Sequence, residues 1–181
     1  MADYKLYESY LIDTVIYDMG KAICLKRENE MPAHDRTPLL LLGNLHGCLY
    51  FMADLSRHIH HQHEIGFIQT SSYGHAFKSG AVETVTASTT DIADKHVIVV
   101  DDVLDTGKSA KTIITQLMQL KPARLELAVL LDKPGRRETF VQPSYVGFSN
   151  VPDVFLYGFG MDLCGTHRNL RDIWVHDEQK D

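Results

Sequence analysis

Two adjacent carboxylates, Asp101 and Asp102, follow the apolar, β-branched run Val97–Val100 and precede Asp105-Thr106-Gly107-Lys108-Ser109, after which a helical pattern begins. A buried strand ending in acids, then a turn of small and hydroxylic residues opening a helix, is a place to hold an anion. Backbone N–H groups point outward there, and the helix dipole favours negative charge. The acids just upstream suit sugar hydroxyls or a divalent cation. One site that takes both a phosphate and something polyhydroxylated is therefore expected.

Two other readings of these residues are weaker. Gly107-Lys108-Ser109 invites a P-loop, but GxxxxGK[ST] needs glycine at position 102, which is Asp102. The second treats Asp101 and Asp102 as solvated strand-end carboxylates and Asp105 as a helix N-cap. Adjacent acids closing a buried strand are costly without partners, which disfavours it.

The surrounding pattern supplies the elements. A stripe of Leu11, Val15, Met19 and Ile23 predicts a helix from Tyr7 to about Glu28, and Cys48–His63 a second. Leu39–Gly43, Ile65–Thr70, Glu83–Ala87, Val97–Asp101 and Leu125–Leu131 read as strands, with a helix over Thr106–Leu120. Short strands around Tyr145–Phe148, Val154–Tyr157 and Ile173–Val175 complete the tail, and Ser71–Gly80 reads as a mobile loop. Strand–helix alternation argues for a parallel α/β sheet in a single domain. Ligands of such sheets sit outside the strands' carboxyl ends, so the turns at 45–47, 101–109 and 132–137 should share one rim.

The composition is that of a globular chain, 181 residues with 44% hydrophobic and 23% charged side chains. A net charge of −6 argues against a general nucleic-acid or membrane-surface binder. Three scattered cysteines form neither a disulfide framework nor a CxxC zinc pattern, which suits a reducing cytoplasm. No signal peptide and no run of ~20 apolar residues is evident.

The segment VVDDVLDTGKS resembles the signature of type I phosphoribosyltransferases: a hydrophobic pair, two acids, two apolar residues, then D-T-G-x-[ST]. More of the chain is similar to one branch, the hypoxanthine/guanine phosphoribosyltransferases. LLGNLHGCLYFMADL (41–55) resembles their pyrophosphate-loop segment, SSYG (71–74) the start of their flexible lid, and LLDKPGRR (130–137) their purine-recognition loop. YVGF (145–148), VPDVFLYGFGMD (151–162) and RNL (168–170) resemble their C-terminal hood. Together these cover roughly residues 39–175 in the family's order.

The resemblance implies purine salvage: transfer of phosphoribosyl from 5-phosphoribosyl-1-pyrophosphate to N9 of hypoxanthine or guanine, giving IMP or GMP and pyrophosphate. It implies a parallel-sheet core over about 39–150, under a hood of about 151–181 plus N-terminal residues. It further implies Mg2+, cytoplasmic location, small-molecule rather than nucleic-acid or membrane partners, and a homodimer or homotetramer. Asp101 and Asp102 would hold the ribose hydroxyls and Mg2+; Asp101 stands where glutamate is common and is one methylene shorter, so its contact would run through water. Asp105 matches the proposed general base near purine N7, and Thr106, Gly107, Lys108 and Ser109 would wrap the 5′-phosphate. Leu45, His46, Gly47 and Arg168 would receive pyrophosphate, the loop being aided by a cis peptide. Lys133 would donate to the 6-oxo group, Phe155 stack on the base and Leu156 read its edge. Asp162 would be a second metal-binding or base-edge acid, and Ser72 and Tyr73 part of the lid.

Two departures stand out. The pyrophosphate loop is usually Leu-Lys-Gly, and His46 takes the lysine's place with less positive charge. Leu163–His167 lacks the family's usual aromatic and acidic residues, which leaves the choice among hypoxanthine, guanine and xanthine open. A nucleotide-binding regulator without catalysis, and a transferase with another nucleobase acceptor, also stay open. Asp105 and the acidic balance speak against the first, Lys133 with Phe155 against the second. The cluster His58, His60, His61 and His63 reads as a solvated helix end, because no nearby cysteine or carboxylate completes a metal site in sequence. Cys48 and Cys164 read as packing residues.

Overall fold

The computed structural model describes residues 3–32, 35–72, 83–87 and 91–177. Its elements are β1 (Tyr4–Tyr7), α1 (Ser9–Glu30), β2 (Leu39–Leu45), α2 (Leu49–Arg57), β3 (His63–Ser72) and β4 (Glu83–Ala87). They continue with β5 (His96–Leu104), α3 (Lys108–Gln119), β6 (Arg124–Asp132), β7 (Tyr145–Phe148), β8 (Phe155–Tyr157) and β9 (Ile173–His176). Six strands form one sheet in the order β4-β3-β2-β5-β6-β7. The five from β3 to β7 run parallel, and β4 joins the β3 edge antiparallel. A second, antiparallel sheet has the order β1-β9-β8.

The near-continuous apolar strands follow from burial on both faces of the main sheet. Leu39, Leu41, Ile98, Val100 and Leu130 pack against Ile12, Ile16 and Ile23 of α1 and Phe51 and Leu55 of α2. The alternate residues Leu40, Leu42, Val97, Val99 and Val129 meet Ile113 and Leu117 of α3. Each such side chain contributes about 1.5–3 kcal/mol by leaving water.

The α1 stripe is displaced from the expected one. Ile12, Ile16, Met19 and Ile23 face the core, while Leu11 is exposed and Val15 only half-buried. A strict interval of four drifts around a 3.6-residue turn, and the buried face follows the helix rather than the stripe. The second helix ends at Arg57, well short of His63. Strand β1 had no sequence reading at all, and β3 runs on through Ser72 where a loop was expected; Tyr73 and the rest of that proposed loop lie outside the described residues.

At the amino-terminal end of the sheet, Glu126 is buried in a polar network. Lys26 Nζ donates to it at 2.7 Å, Arg124 Nη2 at 2.8 Å and Tyr145 Oη at 3.2 Å. His96 lies between Arg27 Nη1, 3.0 Å from Nδ1, and Glu126 Oε2, 2.7 Å from Nε2. Arginine only donates, so Nδ1 accepts and Nε2 carries the proton given to Glu126.

Candidate active site

Because β2, β5 and β6 are neighbours, their carboxyl ends place the three turns at 45–47, 101–109 and 132–137 side by side. Strand β5 extends past the acids to Leu104, so alternation sends Asp101 and Asp102 to opposite faces. Asp101 is 6% exposed and accepts from Asn44 Nδ2 at 3.2 Å. Asp102 reaches the floor of a cleft of about 1030 Å³. Burial, then the charge of Asp102, pushes Asp101 well above the ordinary carboxylate range; burial also raises Asp102. Asp101 is thus neither solvated nor a strand-end residue.

Among the described residues, no lysine or arginine comes within ion-pairing distance of either acid. Asp102 alone of the two presents its carboxylate to the cleft, a hard-oxygen donor of raised basicity that fits Mg2+ or sugar hydroxyls, with the charge of Arg168 nearby. Asp101 lies on the strand's other face against Asn44, which corrects the expectation that both acids meet the ligand directly. Asp162, also in the cleft lining, is engaged by Arg168 Nη2 at 2.6 Å and the Gly165 N–H at 2.8 Å.

Gly107 turns the chain from β5 into α3 at φ +84, where a Cβ would lie 2.3 Å from the Thr139 carbonyl oxygen. The helix has Gly107 as its N-cap and no side chain capping it, so Asp105 is not the cap. The turn is tied to the next loop: the Thr106 carbonyl accepts from the N–H groups of Glu138 and Thr139 at 3.0 and 2.9 Å. Lys108 also pairs with Glu138 at 2.5 Å. Ser109 falls in the first turn of α3.

The turn after β2 contains a cis peptide between Leu45 and His46, as the resemblance implied. Gly47 is wedged there: a Cβ would meet Asp102 Oδ2 at 1.7 Å. Gly160, at φ +102, approaches from the other side, its own Cβ position 2.0 Å from the Gly47 carbonyl oxygen. Arg168 braces this turn by donating Nη1 to the Gly160 carbonyl at 2.7 Å.

The far side of the cleft comes from the 132–137 turn and the small sheet. Lys133 is 7% exposed, and its Nζ donates to the Val154 carbonyl at 2.7 Å. Burial holds its ammonium below the usual lysine range. Phe155, 43% exposed, lines the cleft with its ring edge-on to His176 at 6.2 Å between centroids. Leu156 beside it is buried.

Of the sequence-predicted site residues, His46, Gly47, Asp102, Asp105, Lys133, Phe155, Leu156, Asp162 and Arg168 line this one cleft. Leu45, Asp101 and Thr106–Ser109 are not among its lining residues. Tyr73 lies outside the described residues. Cys48 is buried as expected, but Cys164 is exposed and does not pack.

Sequence reading missed Arg136, whose Nε donates to Asp105 Oδ1 at 2.7 Å and whose Nη1 donates to Asp153 at 2.9 Å. Its place inside LLDKPGRR was the available signal. It also missed Arg137, which pairs with Asp132 and keeps Nη1 buried without a hydrogen-bond partner close to Gly107. Tyr4 and His176 line the cleft too, and no local pattern marked them.

A family model for the phosphoribosyl transferase domain matches residues 16–163. The chain is 36% identical over 160 residues to a hypoxanthine phosphoribosyltransferase of Buchnera aphidicola, covering 88% of this chain and 87% of that protein. It is 38% identical over 155 residues to a hypoxanthine-guanine phosphoribosyltransferase of Aquifex aeolicus, covering 85% and 86%. A solved Trypanosoma cruzi hypoxanthine phosphoribosyltransferase, a mutant in a ternary substrates complex, superposes with TM-score 0.87 at 30% identity, covering 96% and 95%. A Bacillus anthracis hypoxanthine-guanine phosphoribosyltransferase gives TM-score 0.83 at 29% identity, covering 98% and 100%.

Proposed function

Because the chain belongs to the phosphoribosyl transferase domain family, in its hypoxanthine(-guanine) phosphoribosyltransferase branch, we propose that it makes IMP or GMP in purine salvage. It transfers phosphoribosyl from 5-phosphoribosyl-1-pyrophosphate to N9 of hypoxanthine or guanine and releases pyrophosphate. The observation that carries this reading is one cleft joining Asp102 and Asp105 to Lys133 and Phe155. A sugar-gripping acid and a base-reading cation in one cleft suit a substrate pair of sugar phosphate and oxopurine.

The backbone N–H groups of 106–109 receive the 5′-phosphate at the α3 N-terminus, with the Thr106 and Ser109 hydroxyls beside them. Lys133 redirects Nζ from the Val154 carbonyl to the purine 6-oxo oxygen, disfavouring adenine, which presents an amino group there. Phe155 stacks on the base, and Leu156 borders its edge. Asp105 exchanges a proton near N7. His46, Gly47 and Arg168 face the departing pyrophosphate while the ribose passes through an oxocarbenium-like state.

Asp102 and Asp162, both in the cleft lining, are the residues that would hold Mg2+, which when bound neutralises charge on the pyrophosphate, while Asp101 would act from behind Asp102 rather than as a direct ligand. The small sheet β1-β9-β8 and the 158–168 segment act as a hood over the core. No described helix is long and apolar enough to cross a membrane. Three free cysteines support a reducing, cytoplasmic setting, and association as a homodimer or homotetramer belongs to the same reading.

Incubation with Mg2+, 5-phosphoribosyl-1-pyrophosphate and, separately, hypoxanthine, guanine, xanthine, adenine and uracil tests the proposal. Nucleotide formed from hypoxanthine or guanine supports it. Product from uracil or adenine alone, or none at all, overturns it.

A further inference from the structure

The four histidines from the end of α2 to the first residue of β3 separate into different environments. His58 packs against α1, where a Cβ on Gly20 would lie 2.6 Å from the His58 Cβ, and His63 Nδ1 lies 2.7 Å from the His61 carbonyl. His60 and His61 instead lie with ring centroids 4.5 Å apart, their planes tilted by 36°, and turn toward α1. There they meet Cys24, which is 2% exposed, and Glu28, one helical turn further on the same face.

The donor atoms of Cys24, His60 and His61 all lie within 4.8 Å of one another. Glu28 Oε1 is 2.9 Å from His60 Nε2 and 3.6 Å from His61 Nε2. His61 Nε2 is itself buried, with no hydrogen-bond partner. A buried ring nitrogen aimed at a thiol and a second imidazole lacks what a metal ion would supply.

We propose that Cys24, His60 and His61, with Glu28 as fourth ligand, form a structural site for Zn2+ or a similar borderline-soft divalent ion. The N₂SO donor set and four protein ligands suit closed tetrahedral zinc. Zn–N and Zn–S bonds of about 2.1 and 2.3 Å set donor separations of roughly 3.3–3.8 Å, which small side-chain rotations from the observed spread reach. The exposed imidazole of His60 leaves an access path, while burial of Cys24 shields the sulfur. The site lies beside the start of β3, at the opposite end of the parallel sheet from the cleft, so it is separate from the acids that would hold Mg2+. A bound ion would clamp α1 to the α2–β3 connection. The ligands are hidden in sequence because the cysteine and carboxylate come from a helix more than thirty residues upstream of the histidines.

The test uses the full chain, stripped with a chelator and titrated with Zn2+ and, separately, with Co2+ as an absorbing substitute. One equivalent of Zn2+ should remain bound against a large excess of Mg2+, and the Co2+ form should show thiolate-to-metal charge transfer with tetrahedral d–d bands. Cys24→Ser should abolish the charge-transfer band, and His60→Ala and His61→Ala should each weaken Zn2+ at least tenfold. Cys164→Ser should leave band and affinity unchanged. The proposal is overturned if Zn2+ does not bind stoichiometrically or if the band disappears with Cys164 instead. It also falls if the His60→Ala/His61→Ala double variant, whose changes lie on the connecting loop and are tolerable even should Cys24→Ser misfold, binds Zn2+ as before.

Discussion

Asp105 and Arg136 close an ion pair at the edge of the cleft, Nε to Oδ1 2.7 Å, and the same guanidinium reaches on to Asp153. The carboxylate proposed to exchange a proton with the purine is therefore held in place before the base arrives. Its partner comes from the loop that also carries Lys133, so the elements flanking the base set its position together.

Asp105→Asn keeps an oxygen for Arg136 to donate to, and the local geometry should survive. Proton exchange would be lost. Turnover should fall by roughly 10²–10⁴, the usual contribution of a general base, with affinity for 5-phosphoribosyl-1-pyrophosphate changed less than about threefold. Steady-state kinetics beside calorimetric titration checks this, and an equal loss of binding would remove Asp105 from the role.

A lysine at position 46 would bring a full positive charge to the loop proposed to meet the pyrophosphate. His46→Lys should accordingly lower the KM for 5-phosphoribosyl-1-pyrophosphate several-fold. Steady-state kinetics of both proteins decides it; an unchanged KM would mean that the side chain at this position never meets the pyrophosphate.

What the sequence disclosed was what local chemistry encodes. Asp101 to Ser109 is continuous chain, so its strand, acids and anion turn were legible together. Asp105 and Arg136 are 31 positions apart, and their pairing emerges only once β5 and β6 are neighbours. Strand β1 is four residues with no clear alternation, and it owes its existence to pairing of Tyr4 with Val175 at the other end of the chain. Leu11 and Ile12 are equally apolar, and only packing onto the sheet decides which is buried.

Lys133 offers the sharpest discrimination test. A hydrogen bond from a charged group contributes about 1.5–3 kcal/mol, so Lys133→Met should cut kcat/KM for hypoxanthine roughly 10–150-fold. Because methionine occupies a similar volume and leaves no buried ammonium, folding should be little affected. Competition kinetics against adenine reads the outcome; an unchanged ratio would place the 6-oxo contact elsewhere.

Gly47 and Gly135 make a matched pair of loop glycines. A Cβ at Gly47 would fall 1.7 Å from Asp102 Oδ2, whereas one at Gly135 meets nothing within 4 Å. Gly47→Ala should displace Asp102 or the 158–161 turn and lower kcat/KM more than 100-fold, about 3 kcal/mol. Gly135→Ala should stay within about 0.5 kcal/mol in stability and keep its activity. Activity assays with thermal melts on the two variants separate a packed turn from an open one.

The last prediction concerns acid stability and Glu126, far from the cleft. Burial raises its carboxyl, but hydrogen bonds from His96 and Lys26 and the charge of Arg124 outweigh this and hold it at about 2, against an ordinary 4.5. A carboxyl depressed in the folded state contributes fully above its unfolded value, and the contribution disappears as pH falls through the folded one. Wild-type stability should therefore decline between pH 4.5 and about 2. Glu126→Gln leaves His96, Lys26 and Arg124 without their anion and should destabilise by roughly 3 kcal/mol at pH 7. That gap should narrow steadily below pH 4.5 as the wild-type carboxyl takes up its proton. Urea unfolding of both proteins at pH 7, 4 and 3 measures it, and a gap that stays constant would show that the carboxylate's ionisation is not what holds α1 to β5 and β6.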